Sequence, residues 1–347
     1  MYERWRRQAQ TASPSEPLPI QLPLQRSVWC SNRSGVKRHL SLQKGVRSHA
    51  KREEGDQTPG GAQMAPDPLQ PLSPLSLDTI RSTLATQAFG RRIDLHDRID
   101  STNREAVALA RAGVEHGTVV VADSQTEGRG RLSRQWFSPP AVSLYCSIVI
   151  RKPIGAEQMA EWLSWLPLMT ALATAEAIDT IAAASVSVKW PNDLLIAERK
   201  IGGILCESGT VARSGSYQIV GLGLNVNGDR NDFPEDLRET ATTIRHETGH
   251  PVERNRLLAR FLHELEACVE EFESRGSERL ALAYRQRCST IGKTVKATLT
   301  DGKEFIGLAE SIEQDGTLRV VQRPLPIDGR PPDIQRLRVA DIIHVRT

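Results

Sequence analysis

Apolar and polar positions follow helix-like and strand-like periods from Leu77 onward, and no such period precedes it. "LDTIRSTLATQAFG" (77–90) spaces Leu77, Ile80 and Leu84 as one face of a helix and stops at Gly90. "IDLHDRID" (93–100) alternates as a strand does. "STNREAVALARAG" (101–113) opens on three helix-capping residues and closes on glycine, which predicts a helix. Two apolar runs, "TVVVAD" (118–123) and "SLYCSIVI" (143–150), read as strands on either side of "EGRGRLSRQW" (127–136). A long helix is predicted over about 156–183. Short strands follow at "VSVKW", "DLLIA", "IGGILCES" and "YQIVGLGLNV" (186–226). In "VERNRLLARFLHELEACVEEFE" (252–273), Leu257, Leu258, Phe261, Leu262, Leu265 and Val269 form one apolar stripe. A further helix is predicted over about 278–287.

The last sixty residues change period. "TVKATLTDGKEFIGLAESIEQDGTLRVVQ" (294–322) sets short alternating runs between DG turns, the signature of hairpins. The pattern predicts an α+β fold: a mixed central β-sheet with helices on one side (76–288), then a small β-barrel (289–347).

Composition separates the N-terminal stretch from the rest. Residues 1–75 are rich in Ser, Pro, Gln and Arg, which predicts disorder. Residues 1–63 hold eleven Lys/Arg against five Asp/Glu, a net of +6, which leaves −3 for residues 64–347 of the total of +3. The basic surplus therefore lies outside the periodic region, and the remainder lacks a basic footprint for nucleic acid. An upstream extension before a start at Met64 is the favoured reading of this stretch. An Arg/Ser-rich transit peptide and a basic interaction tail are the alternatives. Five scattered cysteines (Cys30, Cys146, Cys206, Cys268, Cys288) form no CxxC pair, so neither a disulfide framework nor a zinc site is expected. With no membrane-length apolar run and no secretory signal, the expected location is the cytoplasm.

Three motif matches fail on context. "HETGH" (246–250) has the HExxH zinc spacing, but Gly249 and Pro251 interrupt the helix that this motif needs. "GKT" (292–294) lacks the earlier P-loop glycine, because position 287 is Arg287. "GLGLNV" has Val226 where a dinucleotide fingerprint has its third glycine.

The remaining constellation is "DSTN" (100–103), "QTEGRGRLSRQW" (125–136), "KWPNDLL" (189–195), "KIGGILCE" (200–207) and "GLGLNVN" (221–227). Each segment alone reads as a cap, a turn or a strand end. Together they carry one chemistry. Arg129, Arg131 and Lys189 suit phosphate, and Gly130 lets backbone N–H groups approach an anion. Ser101, Thr102, Asn103 and Gln125 suit a neutral amide or urea, and Trp136 and Trp190 supply apolar walls. No nucleophile stands out, which favours a reaction run by positioning and electrostatic stabilisation.

These five ordered motifs resemble the biotin protein ligases over about residues 77–347. The resemblance implies a catalytic domain like that of class II synthetases and biotin–lipoate ligases, followed by an SH3-like β-barrel. It implies that biotin is activated by ATP, with Mg²⁺, to biotinyl-5′-AMP and passed to a lysine of a biotin carboxyl carrier protein. Ser101, Thr102, Asn103 and Gln125 would hold the biotin head group; Arg129, Gly130 and Arg131 would form a loop closing over biotin and the adenylate. Lys189 would sit by the carboxylate–phosphate junction and, with Arg131, carry catalysis. Trp136, Asn192, Lys200 and Asn225 would lie near the nucleotide, and no resident metal is implied. Two rival readings are another acyl-adenylating transferase, of the lipoate type, and a biotin-responsive DNA regulator. Ser133 stands where many members have glycine. Regulatory members carry an N-terminal winged helix, which the proline-rich residues 1–75 do not resemble, so the expectation is a ligase without repressor function or nucleic-acid binding. A monomer or weak homodimer is expected, with no membrane association.

Overall fold

A computed structural model describes residues 72–152, 154–212, 215–299, 302–323, 331–338 and 341–345. The expectations for residues 1–63, Met64 included, lie outside the described residues. Residues 72–75 are tied down: Arg254 donates to the Ser73 carbonyl and Asn255 to the Pro74 carbonyl. The ordered chain thus reaches slightly ahead of the expected boundary at residue 76.

Seven strands form the main sheet: β1 (Ile93–His96), β2 (Val119–Ala122), β3 (Ser143–Ile150), β4 (Ser187–Lys189), β5 (Asp193–Ile196), β6 (Arg199–Val211) and β7 (Gly215–Asn225). Their order is β1-β2-β3-β7-β6-β5-β4. Only β1 and β2 run parallel, so the sheet is mixed, as the alternating segments predict.

Helices α1 (Leu77–Thr83), α2 (Thr102–Arg111), α3 (Ala156–Ala182), α4 (Ile244–Thr248), α5 (Arg254–Arg275) and α6 (Glu278–Arg287) complete the body. The large helices α3 and α5 share one core with Val119, Val121, Leu144, Ile148 and Leu222. Helix α2 covers the opposite face, where Ala106 and Ala110 meet Val120, Val149 and Ile219. The expected one-sided arrangement is therefore corrected. All eight residues of β3 and all four of β2 are buried, which a sheet solvated on one face does not allow. None of the helices among the described residues is long and apolar enough to cross a membrane.

Helix α1 also ends earlier than the spacing predicts, at Thr83 rather than Gly90. The Ser82 and Thr83 hydroxyls fold back onto the Thr79 carbonyl, and residues 87–89 are captured elsewhere. The buried Glu266 carboxylate accepts the backbone N–H groups of Gln87, Ala88 and Phe89 at 2.6–2.9 Å. These charge-assisted bonds stabilise the turn by more than another helical turn would. The strand predicted over 93–100 likewise stops at His96.

The C-terminal module is a five-stranded antiparallel sheet of β8 (Thr294–Thr298), β9 (Glu304–Ile312), β10 (Leu318–Gln322), β11 (Ile334–Leu337) and β12 (Asp341–His344), in the order β11-β10-β9-β8-β12. Its β9–β10 turn, with Gly316 at φ +78°, docks on the helices. Trp165 Nε1 and the Ser277 hydroxyl both donate to the Gln314 carbonyl, at 2.7 and 2.8 Å. Arg285 donates to the Ile312 carbonyl at 2.8 Å. This anchoring fixes where β8 and β12 meet the main sheet.

Candidate functional site

On the α2 face of the sheet, side chains stand in rungs set by the strand register. Ser147 of β3 pairs with Gly221 of β7, which pairs with Leu205 of β6. The next rung is Tyr145, Gly223 and Gly203. Two glycines side by side leave a trough in the sheet surface, and the Trp136 ring lies in it. A Cβ on Gly223 would come within 2.7 Å of the indole, and one on Gly203 within 3.0 Å. This explains the second glycine of "IGGIL" and of "GLGLN", Gly203 and Gly223: the ring needs bare backbone beneath it.

A cavity of about 1200 Å³ opens over this trough. Of the residues singled out from the sequence, Ser101, Thr102, Asn103, Gln125, Arg129, Gly130, Arg131, Trp136, Lys189, Asn192, Lys200 and Asn225 line it, and Trp190 does not. They come from the start of α2, the loop after β2, and strands β4 to β7, so the fold gathers segments up to 124 residues apart.

The first turn of α2 forms the neutral wall. Ser101, Thr102 and Asn103 are buried, and Ser101 makes no side-chain cap bond to its own helix. The Thr102 hydroxyl and N–H both donate to Gln125 Oε1, at 3.2 and 2.9 Å. Gln125 Nε2 donates to the Ser138 hydroxyl at 3.1 Å. Asn103 Nδ2 donates to the Leu205 carbonyl (3.2 Å) and the Glu207 carboxylate (2.8 Å), while its Oδ1 accepts from the Ser147 hydroxyl (2.7 Å). The wall is thus pre-arranged by bonds among its own residues.

The arginine-rich segment is a tight hairpin. Trp136 N–H donates to the Gly128 carbonyl and Gly130 N–H to the Arg134 carbonyl, at 2.9 and 2.8 Å. Its tip holds Leu132 and Ser133 at φ +54° and +58°, a left-handed conformation in which a side chain costs about 1 kcal/mol or more. Arg129 reaches Glu207 at 3.1 Å, and Arg131 donates to Asn192 Oδ1 at 2.8 Å. Asn192 is itself held by its Nδ2 bond to the Ile204 carbonyl, at 3.0 Å.

Toward the β4 edge the wall becomes cationic. Lys200 pairs with Asp193 at 2.6 Å and lies 5.4 Å from the Trp136 ring centroid. Lys189 ends β4, beside a cis Trp190–Pro191 bond. Arg131, Lys189 and Asn192 also line a smaller adjoining cavity of about 170 Å³ with Arg134. Asn225 is buried and donates to the Thr242 carbonyl at 3.1 Å. Trp190 itself is buried in the main core and lines only the smaller cavity.

Several residues in and behind the wall escape sequence reading. Ser147 and Glu207, behind the lining, are brought to Asn103 by strand register alone. The C-terminal module adds Gly292, Lys293, Thr294, Ile343, His344 and Val345, with Lys293 paired to Glu198 at 3.2 Å. Burial, and next the positive charges of Lys189 and Lys293, push His344 down to about 4, so its imidazole is neutral at pH 7. Burial pushes the thiols of Cys146, Cys206 and Cys268 up to about 12, and Cys288 is raised as well. No thiolate nucleophile exists among the described residues. The "HETGH" spacing comes to nothing structurally: α4 ends at Gly249 (φ +77°), so His246 and His250 share no helical face.

A mixed sheet bearing a cavity lined by both uncharged polar residues and cations is the architecture of a ligase of the biotin/lipoate type, and the comparisons with known proteins agree. The model of the biotin/lipoate A/B protein ligase family matches residues 95–227, which span the neutral wall, the hairpin and the glycine trough. A bifunctional ligase/repressor BirA of Bacillus subtilis is 33% identical over 70% of this chain and 74% of that protein. The biotin–[acetyl-CoA-carboxylase] ligase of Mycobacterium tuberculosis is 31% identical over 81% of this chain and 98% of its own length. A biotin protein ligase of Aquifex aeolicus, solved with biotin and ATP, superposes with a TM-score of 0.60 at 27% identity, covering 74% of this chain and all of that one. The chain belongs to the biotin protein ligases and is a biotin ligase enzyme.

Proposed function

We propose that the protein activates biotin with ATP and transfers it to a lysine of a biotin carboxyl carrier protein. The observation that carries this reading is that one cavity is lined both by uncharged donors and acceptors (Ser101, Thr102, Asn103, Gln125), which suit a ureido head, and by the cations Arg131 and Lys189, which suit anions. The Aquifex aeolicus complex with biotin and ATP supports both ligands.

In the first step a biotin carboxylate oxygen attacks the α-phosphorus of ATP, an O–P bond forms, and pyrophosphate leaves with the electrons of the broken P–O bond. Lys189 and Arg131 balance the negative charge that gathers on the phosphorus oxygens, the kind of stabilisation that preorganised cations supply best. Lys200 and Asn225 flank the nucleotide, and Asn192 orients Arg131 through their 2.8 Å bond. In the second step the carrier lysine amine attacks the acyl carbon; AMP leaves with the anhydride electrons, and the amine proton passes to solvent. The neutral His344 adds no positive charge that would hold the acceptor amine away.

Magnesium would accompany ATP and shield the charge of the triphosphate. Among the described residues no group of three His, Cys, Asp or Glu side chains forms a cage. Asp193 and Glu198, which line the cavity paired with Lys200 and Lys293, would be the carboxylates to hold a nucleotide-borne ion.

Biotin-dependent ATP–pyrophosphate exchange, run beside lipoate and octanoate, tests the reading. Exchange with biotin alone, and streptavidin-detectable labelling of a carrier domain, are the expected results. Exchange with lipoate but not biotin would overturn it. The M. tuberculosis relative, named for acetyl-CoA carboxylase, supports a carboxylase carrier as the partner. We read the chain as a ligase without repressor function, and salt-sensitive binding to its own operator DNA would refute that.

A further inference from the structure

Glu207 stands outside the cavity lining, behind two residues that do line it, Asn103 and Arg129. Its carboxylate bridges two parts of the wall, the first turn of α2 and the arginine hairpin. Oε2 accepts from Asn103 Nδ2 at 2.8 Å, and Oε1 and Oε2 accept from the Arg129 guanidinium at 3.1 and 3.4 Å. The first contact fixes the amide of the neutral wall. With Nδ2 turned to Glu207 and Leu205, Oδ1 faces Ser147, and the opposite amide orientation would set like atoms together. The second contact is a forked pair that holds the hairpin by its base.

We infer that Glu207 is a positioning residue that joins the α2 wall to the arginine hairpin, so that the head-group pocket and the loop over it form as one unit. The inference rests on the ligase reading above, and deepens it by naming the residue that couples the two halves of its site. The exposed ion pair between Arg104 and Glu127, at 2.9 Å, ties the same hairpin to α2 from outside and provides an internal control.

The test compares Glu207→Gln, Arg129→Gln, the double variant and Glu127→Gln. Glu207→Gln keeps size and removes the charge. In biotin-dependent exchange its KM for biotin should rise about tenfold, the scale of one lost charge-assisted hydrogen bond, with kcat changed less than about threefold. The double variant should be no worse than about twice the worse single variant, because both act through one contact. Trypsin cleavage within residues 127–136 needs no substrate and reads the tether directly. It should be several times faster in Glu207→Gln than in the wild type, with the thermal midpoint unchanged. Glu127→Gln should leave KM at the wild-type value. Equal cleavage rates, an unchanged biotin KM, or an equal effect from Glu127→Gln would each overturn the inference. Because the cleavage arm is independent of biotin, its failure is distinguishable from failure of the ligase reading.

Discussion

Asn103 rests directly on the backbone of Gly221: a Cβ at that position would overlap Asn103 Oδ1. Gly221→Ala should therefore push Asn103 off its bonds to Ser147, Leu205 and Glu207. The expected result is a rise of at least about tenfold in KM for biotin with a stability loss of about 1–3 kcal/mol, the range for overpacking. Exchange kinetics and a denaturant melt measure the two effects. An unchanged KM would mean that the wall tolerates a displaced Asn103.

Removing the cations should separate chemistry from retention. Lys189→Ala is expected to lower the adenylation rate by about 10²–10³, the scale for one preorganised electrostatic donor. Arg131→Ala should weaken biotin binding and speed loss of the adenylate, with little effect on folding. Pyrophosphate exchange reads the first, and single-turnover transfer with adenylate release reads the second. Wild-type values in these assays would remove the assigned roles.

Ser133 sits at φ +58° beside Leu132 at +54°. Ser133→Gly relieves a left-handed strain of about 1 kcal/mol, but it also gives the unfolded chain more freedom. Global stability should consequently move by less than about 1 kcal/mol. The local effect is larger, since a relaxed tip lets the hairpin open and close more freely. Faster adenylate release from the glycine variant, at an unchanged melting midpoint, is the expected signature.

His344 gives the protein an acid sensitivity with a definite sign. Its folded value of about 4 lies below the ordinary 6.5, so as pH falls the unfolded chain takes up this proton first. Its contribution to stability is complete above about pH 6.5 and is lost progressively toward pH 4. His344→Gln removes the titration, and its melting midpoint should fall less than that of the wild type between about pH 7 and about pH 5. Lys189, Lys293 and Glu198 surround the ring and are retained in the variant, which isolates the imidazole.

Local pattern made much of this legible. The period of three to four in 252–273 and the glycine after Ala112 mark α5 and α2, because capping and amphipathicity act over neighbouring residues. The residues that line the cavity were picked out by their types, since phosphate and a urea call for different side chains. Lateral register was not. Nothing near Ser147 or Glu207 in the chain says that they will flank Asn103, and His344 reaches the cavity only because the β9–β10 turn docks on Trp165 and Ser277. Helix α1 was overextended for the same reason, as the group that ends it, Glu266, lies 177 residues from Phe89. The second helical layer had a local sign in the unbroken apolar run of β2, which alternation-based reading passes over.

Trp136 in its glycine trough gives the enzyme an optical reporter of its own. Trp162, Trp165 and Trp190 are fully buried and lie in the main core. Trp136 alone of the described tryptophans lines the larger cavity, against Lys200 and bare backbone, with an indole N–H that has no partner. Any ligand that enters the trough must slide along this ring or displace it, so occupancy becomes readable as a change in emission without a label attached.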